Sequence, residues 1–101
     1  MIVRLWHGRT SLSDGDKYAE FMKERAAPDY ASVEGLEKLY FLRRAENDAE
    51  HFLLVTLWDS MESVKKFAGE HPELAKYYPE DDSFLLEKEK TSALYELFFK
   101  K

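Results

Sequence analysis

Apolar and polar positions follow each other along this chain with two periods, and the switch between them divides it into elements. From Ile2 to Thr10 (IVRLWHGRT) β-branched and aromatic residues predict a strand, with Ile2, Arg4, Trp6 and Gly8 on one face and Val3, Leu5 and His7 on the other. SLSDGD then reads as a turn and helix start, Ser13 capping free N–H groups and Asp14 and Asp16 meeting the positive helix end. Tyr18, Phe21, Met22 and Arg25 recur at helical spacing as one stripe, and Pro28 is expected to end or break that helix. VEGLEKLYFLRRAEND predicts a turn at Gly35 and a second strand, with Leu36, Tyr40 and Leu42 on one face and Leu39 and Phe41 on the other. Glu46 to Asp48 is a turn signal, and the short gap to His51–Trp58 (HFLLVTLW) implies an antiparallel hairpin. Asp59 and Glu62 have capping-box spacing before a helix whose buried stripe is Met61, Val64, Phe67 and Ala68, stopped by Gly69. HPELAKYY predicts a further helical turn with Pro72 in its first position, PEDDS a polar loop, and Ser83 to Phe99 a long strand region bent near Thr91 to Ala93.

The order is β-α-β-β-α-β, the ferredoxin-like α+β arrangement of a four-stranded antiparallel sheet with its helices on one face. The third strand departs from the half-solvated pattern. Leu53, Val55 and Leu57 lie on one side of it and Phe52, Leu54 and Trp58 on the other. Helices cover one face only, and leaving three such side chains in water forfeits about 1.5–3 kcal/mol each. A second copy packed face to face is therefore expected, giving a homodimer.

Composition narrows the classes of function. The 101 residues form a single domain, 1–101, with a net charge of −5 and acids and bases intermixed. No basic run stands out, so neither nucleic acid nor an anionic membrane is an expected partner. Cysteine is absent, which excludes disulfides and thiol chemistry. The three histidines have no metal-ligand spacing, so no metal is expected. MIVRLWHGRT does not resemble a signal peptide, and a cytoplasmic location is expected.

The stretches VRLWHGRT, LLVTLWDSMESVKKFAGE and YYPEDDSFLLE carry a resemblance to the antibiotic biosynthesis monooxygenase (ABM) superfamily, and it extends over nearly the whole chain. The resemblance implies a dimeric α+β barrel of two ferredoxin-like subunits, each with a pocket between sheet and helices. It also implies oxygenation of a small aromatic or quinol with no cofactor. Such a site needs a base or hydrogen-bond donor, aromatic walls and an apolar, water-poor space.

The catalytic candidates are His7, Trp58, Tyr77 and Tyr78. The resemblance makes Trp58 a pocket wall with an indole donor, against the alternative of a core tryptophan bonded internally. His7 is a general base or a satisfied strand-end histidine. Tyr77 and Tyr78 differ by one helical step, so one of them is expected to face inward. Arg4, Tyr40, Phe67 and His71 are the substrate-binding candidates. Arg4 holds an anionic oxygen or pairs with a carboxylate, and His71 caps the turn before Pro72. His51 and the run Glu80–Asp82 are read as solvated surface. A non-catalytic small-molecule-binding dimer is the alternative function. Haem degradation is third, because the histidine and tryptophan of that branch have no counterpart in the second helical region or at Phe67.

Overall fold

The computed structural model describes all 101 residues, Met1–Lys101. β1 (Ile2–Ser11) leads through a 3-10 turn (Leu12–Asp14) into α1 (Gly15–Phe21), a π turn (Met22–Ala26) and α2 (Ala27–Ala31). β2 (Leu36–Glu46) and β3 (Ala49–Trp58) follow, then α3 (Met61–Ala68), a 3-10 turn (Pro79–Ser83) and β4 (Ala93–Glu96). The strand order is β2-β3-β1-β4 with every neighbouring pair antiparallel. This is the ferredoxin-like sheet the sequence pattern predicts. No helix is long and apolar enough to cross a membrane.

The β2–β3 hairpin closes on Asn47 and Asp48, with φ of 53° and 62°. Positive φ at both central residues twists the turn with the strands, and short Asx side chains tolerate it best after glycine. The register this sets puts Phe52, Leu54, Thr56 and Trp58 of β3 on the helix side, beside Arg4, Trp6, Gly8 and Thr10 of β1. Tyr18, Met22, Ala26 and Tyr30 from the helical segment and Val64 and Phe67 from α3 complete the core. Gly8 makes room for the Trp6 indole, since a Cβ there would sit 2.6 Å from its ring.

Several local expectations are corrected. Ser11 rather than Ser13 caps the 3-10 turn that leads into α1, accepting from the Asp14 N–H at 3.2 Å, and α1 itself starts after Asp14 with no side-chain cap. The helix does not stop at Pro28. Proline cannot donate to the ladder, and the chain accommodates this with a π turn just upstream, the Ala27 N–H reaching back to Met22 O. The buried stripe therefore steps by four, from Tyr18 to Met22, Ala26 and Tyr30, and Arg25 is exposed. In β2 a bulge between Leu36 and Lys38 turns Leu36 onto the core side with Leu39 and Phe41, leaving Tyr40 and Leu42 exposed. Ser60, not Asp59, caps α3 through the Ser63 N–H, and Asp59 Oδ1 accepts from the Ser60 and Ser63 hydroxyls.

The segment from His71 to Tyr78 is not helical. Leu74 bridges Thr91, Ala75 N–H donates to Lys90 O, and Ser92 N–H donates to Glu73 O. A helical piece this short is marginal alone, and pairing with a distant segment supplies the partners its backbone needs. β4 shrinks to Ala93–Glu96 for a related reason. Residues 85–92 are tied to β1 at Leu85–Leu86 and to residues 73–75, not to one continuous edge.

Candidate functional site

Between the helical segment and β2–β3 lies a cleft of about 240 Å³. Phe41, Phe52 and Leu54 form its sheet wall and Ala19 and Met22 its helical wall, with Lys23 and Arg43 as charged members. The Arg43 guanidinium is held by Glu50 and by Asp16 at 3.0 Å, and it lies 5.6 Å from the Phe52 ring centroid. Met22 and Leu54 are shared with an inner chamber of about 10 Å³, enough for one water-sized molecule. Trp6, Tyr18, Tyr30, Phe67, Tyr78 and Asp81 surround that chamber.

The chamber is lined by deeply buried polar groups. Asp81 is 1 % exposed, and its two oxygens accept from the Tyr18 hydroxyl and the Tyr78 N–H, each at 2.7 Å. Burial raises the Asp81 carboxyl above the ordinary aspartate range, although both hydrogen bonds pull it down. Burial, then the bond to Asp81, drives the Tyr18 hydroxyl strongly up. Tyr30 is pushed up to about 12 by burial, against the opposing charge of Arg4. Asp81 was expected on the solvated surface. Its place follows from the 3-10 turn, where it reaches back to the N–H three residues before it, and the Tyr78-Pro79-x-Asp81 spacing is the signal that could have found it. Nothing in the local sequence marks Trp6, whose Nε1–H is buried without a partner.

The sequence-predicted residues are divided between the two faces of the sheet. Trp58 is fully buried, donates to the Thr56 hydroxyl at 2.8 Å and packs on Phe67 and Tyr30, and it lines neither cavity. Phe67 and Tyr78 line the chamber, and Tyr78 donates to Asp29 Oδ2 at 2.6 Å. Burial opposes ionisation of Asp29, but the bonds from Tyr78 and Lys76 outweigh it and hold the carboxyl below its ordinary value. Tyr77 meets the Trp6 ring edge-on and donates to Glu89 O at 2.5 Å. Both tyrosines thus pack against the core, the segment that carries them being irregular rather than helical.

Arg4 makes no ion pair. It is 1 % exposed and donates to the carbonyls of Pro72 at 3.2 Å and Leu74 at 3.1 Å, fastening the segment after α3 across the core. His71 is exposed, and its carbonyl accepts the Leu74 N–H in a turn. His7 and Tyr40 stand on the other side of the sheet, away from the cleft and chamber. His7 contacts Glu89 through Nδ1 and His51 through Nε2 at 3.0 Å. His51 is therefore part of a side-chain chain rather than solvated.

No family model matches the chain, and no curated protein matches it. Solved structures do. One, "Putative antibiotic biosynthesis monooxygenase from Nitrosomonas europaea", superposes with a TM-score of 0.67 over 98 % of this chain and 100 % of its own, at 12 % identity. Another, described in the same terms and from Bacillus cereus, gives a TM-score of 0.67 over 99 % of this chain and 95 % of its own, at 15 % identity. This chain has their fold.

Proposed function

We propose that the cleft between the π turn and β2–β3 binds a small planar aromatic hydroxy compound or quinol, and that the chain oxygenates it in the manner of the cofactor-independent ABM enzymes. The observation that carries this reading is the conjunction of an apolar, aromatic-walled cleft with a buried acid–base pair, Asp81 and Tyr18, behind Met22 and Leu54. In such a reaction a ring C–H ortho or para to a hydroxyl becomes C=O while that hydroxyl becomes a second C=O, one O2 is consumed and one water leaves, so the substrate supplies every electron. The protein's part is to accept a proton, keep water out and hold the ring flat. A carboxylate whose proton affinity is raised by burial suits the first task. Trp6 Nε1–H, the unpartnered donor of the chamber, is suited to a developing oxyanion. The cleft volume lies below the usual 300–1,000 Å³ of ligand pockets, which favours one or two fused rings over three.

A second reading is a binding protein without chemistry. The hydroxyls of Tyr18 and Tyr78 and the indole N–H of Trp58 are each committed to an internal partner, which favours it. Both readings keep a homodimer. Val3, Leu5, Leu53, Val55 and Leu57 on the open face, with exposed Tyr40 and Leu42 beside them, support pairing with a second copy.

Oxygen uptake above autoxidation, measured with one- and two-ring quinols alongside thermal shifts, separates the readings. Uptake that falls in Met22→Trp, which fills the cleft, and in Asp81→Asn supports the oxygenase. A raised melting temperature with no uptake supports binding alone. If no aromatic shifts the melting temperature and no oxygen is consumed, both readings fail.

A further inference from the structure

The lining of the aromatic cleft carries a charge pattern that neither reading above uses. The chain as a whole is acidic, with a net charge of −5, yet the charged residues lining the cleft are both cations, Lys23 and Arg43. The carboxylates that pair with them, Glu20, Asp16 and Glu50, stand outside the lining. Each cation is placed by its element. Lys23 follows Met22 in the π turn, at the edge of the helical wall. Arg43 is two residues beyond Phe41 in β2, so the two side chains share a face of the strand.

The two cations differ in what holds them. Arg43 is fixed, with Nε donating to Glu50 and Nη2 to Asp16 at 3.0 Å, and its guanidinium lies 5.6 Å from the centroid of the Phe52 ring in the sheet wall. Nη1 has no partner in the chain, so an oriented group keeps two N–H donors free. Lys23 is loose. It pairs at 2.7 Å with Glu20, three residues back, and the two side chains are 64 % and 62 % exposed. An exposed pair of this kind holds its members weakly, so the ammonium turns to a ligand at little cost.

A fixed donor pair and a mobile ammonium beside an apolar floor of Phe41, Phe52 and Leu54 suit an aromatic ring that carries an anionic oxygen group. A carboxylate is planar and matches the flat donors of a guanidinium. The cations stand at the mouth, and Met22 and Leu54 close the inner end, with Asp81 and Tyr18 behind them. We propose that the ligand of the cleft is a hydroxylated aromatic carboxylate, its carboxylate held at the mouth by Lys23 and Arg43 Nη1 and its hydroxyl at the far end of the ring, towards Met22 and Leu54. This rests on the cleft being the aromatic site, and it holds for the oxygenase and the binding reading alike. Both cations work on the helix side of the sheet, where Arg43 meets Asp16 and Phe52, and not on the face that a second copy covers.

Fluorescence titration at neutral pH with 6-hydroxy-2-naphthoate, and with 2-naphthol as the same ring and hydroxyl without the carboxylate, tests this. The naphthoate is expected to bind about tenfold tighter, as a charge-assisted hydrogen bond predicts, and the margin is expected to shrink at high salt. Lys23→Gln is expected to cut the margin about threefold, Lys23→Arg to keep it and Lys23→Glu to remove it, with 2-naphthol bound equally by all three. Lys17→Gln removes the same charge from exposed surface outside the cleft and is expected to leave the margin unchanged. 3-Hydroxy-2-naphthoate, with its carboxylate beside the hydroxyl, is expected to lose most of the margin. Met22→Trp, which fills the cleft, is expected to abolish binding of every probe. Equal affinity of the wild type for the naphthoate and 2-naphthol, a margin that Lys17→Gln lowers as much as Lys23→Gln does, or an undiminished margin for the 3-hydroxy isomer would overturn the proposal and leave the cleft reading standing. Binding of no probe, or binding that Met22→Trp leaves unchanged, would overturn both.

Discussion

Replacing Tyr18 by Phe removes one oxygen atom from the centre of the molecule and leaves the ring where it is. The ring contacts to Phe52, Phe84 and Phe21, at centroid distances of 5.0, 5.3 and 5.7 Å, need no hydroxyl. What is lost is the 2.7 Å bond to Asp81, whose carboxyl is 1 % exposed and has no solvent to replace the donor. A hydrogen bond to a buried charged group is worth about 1.5–3 kcal/mol, against about 1 kcal/mol between neutral groups. The cost therefore depends on whether Asp81 is ionised. Its folded-state carboxyl lies above the ordinary aspartate value, chiefly through burial, so its ionisation opposes folding. The stability it contributes is fully present below that value and is lost as pH rises through the folded one. Removing Tyr18 removes one of the causes that hold the carboxyl down, so the folded value rises further and the loss becomes larger. Tyr18→Phe should thus cost about 2–3 kcal/mol at pH 7.5, a fall in melting temperature on the order of 10 °C, and about 1 kcal/mol at pH 4. Urea unfolding of both proteins at the two pH values is the assay. A deficit that is the same at both, or larger at pH 4, would refute the assignment of Asp81 as a buried, ionisable partner of Tyr18.

Four further outcomes follow from the same geometry. Arg4→Met keeps much of the apolar stem but strands the carbonyls of Pro72 and Leu74, and should cost about 2–4 kcal/mol with faster hydrogen exchange at Leu74, Ala75 and Ser92. Asp48→Gly relieves a φ of 62° in the hairpin and should raise stability by about 0.5–1 kcal/mol in chemical denaturation. Tyr78→Phe removes a bond that depresses the Asp29 carboxyl. Stability from Asp29 is present above its ordinary value and lost as pH falls through the depressed one, so in urea unfolding the variant should be weakened most at neutral pH and the deficit should shrink in strong acid. Leu53→Lys places a charge on the open sheet face. Sedimentation should show it to be monomeric at concentrations where the wild type is paired, and a wild type that is monomeric throughout would remove the second copy.

The alternation in β1 and β3 and the Glu46–Asp48 turn were enough to specify the strands, the antiparallel hairpin and which side chains share a face. These signals are local, because a strand's two faces are set by neighbouring residues and a two-residue hairpin leaves one pairing. The same is true of α3, where the apolar stripe of Val64 and Phe67 and the stop at Gly69 are written within one turn or two. Where partners lie far along the chain, the local pattern misleads. HPELAKYY has helical spacing, yet Arg4 and Thr91 claim its carbonyls and its bridge, and backbone groups satisfied from outside do not need a helix. The bulge that turns Leu36 inward and the π turn that precedes Pro28 each shift a face by one residue, which periodicity counted along the sequence does not record. The division of the candidate residues was also beyond local reading. Trp58 and His7 carry the right chemistry for one site, but their positions on β3 and β1 put them on opposite faces of the same sheet, and only the pairing of two strands distant along the chain decides that. Asp81 shows the converse. Among three consecutive acids it looks solvated, and what buries it is a tyrosine on the first helix, 63 residues away, that needs an acceptor where no water reaches.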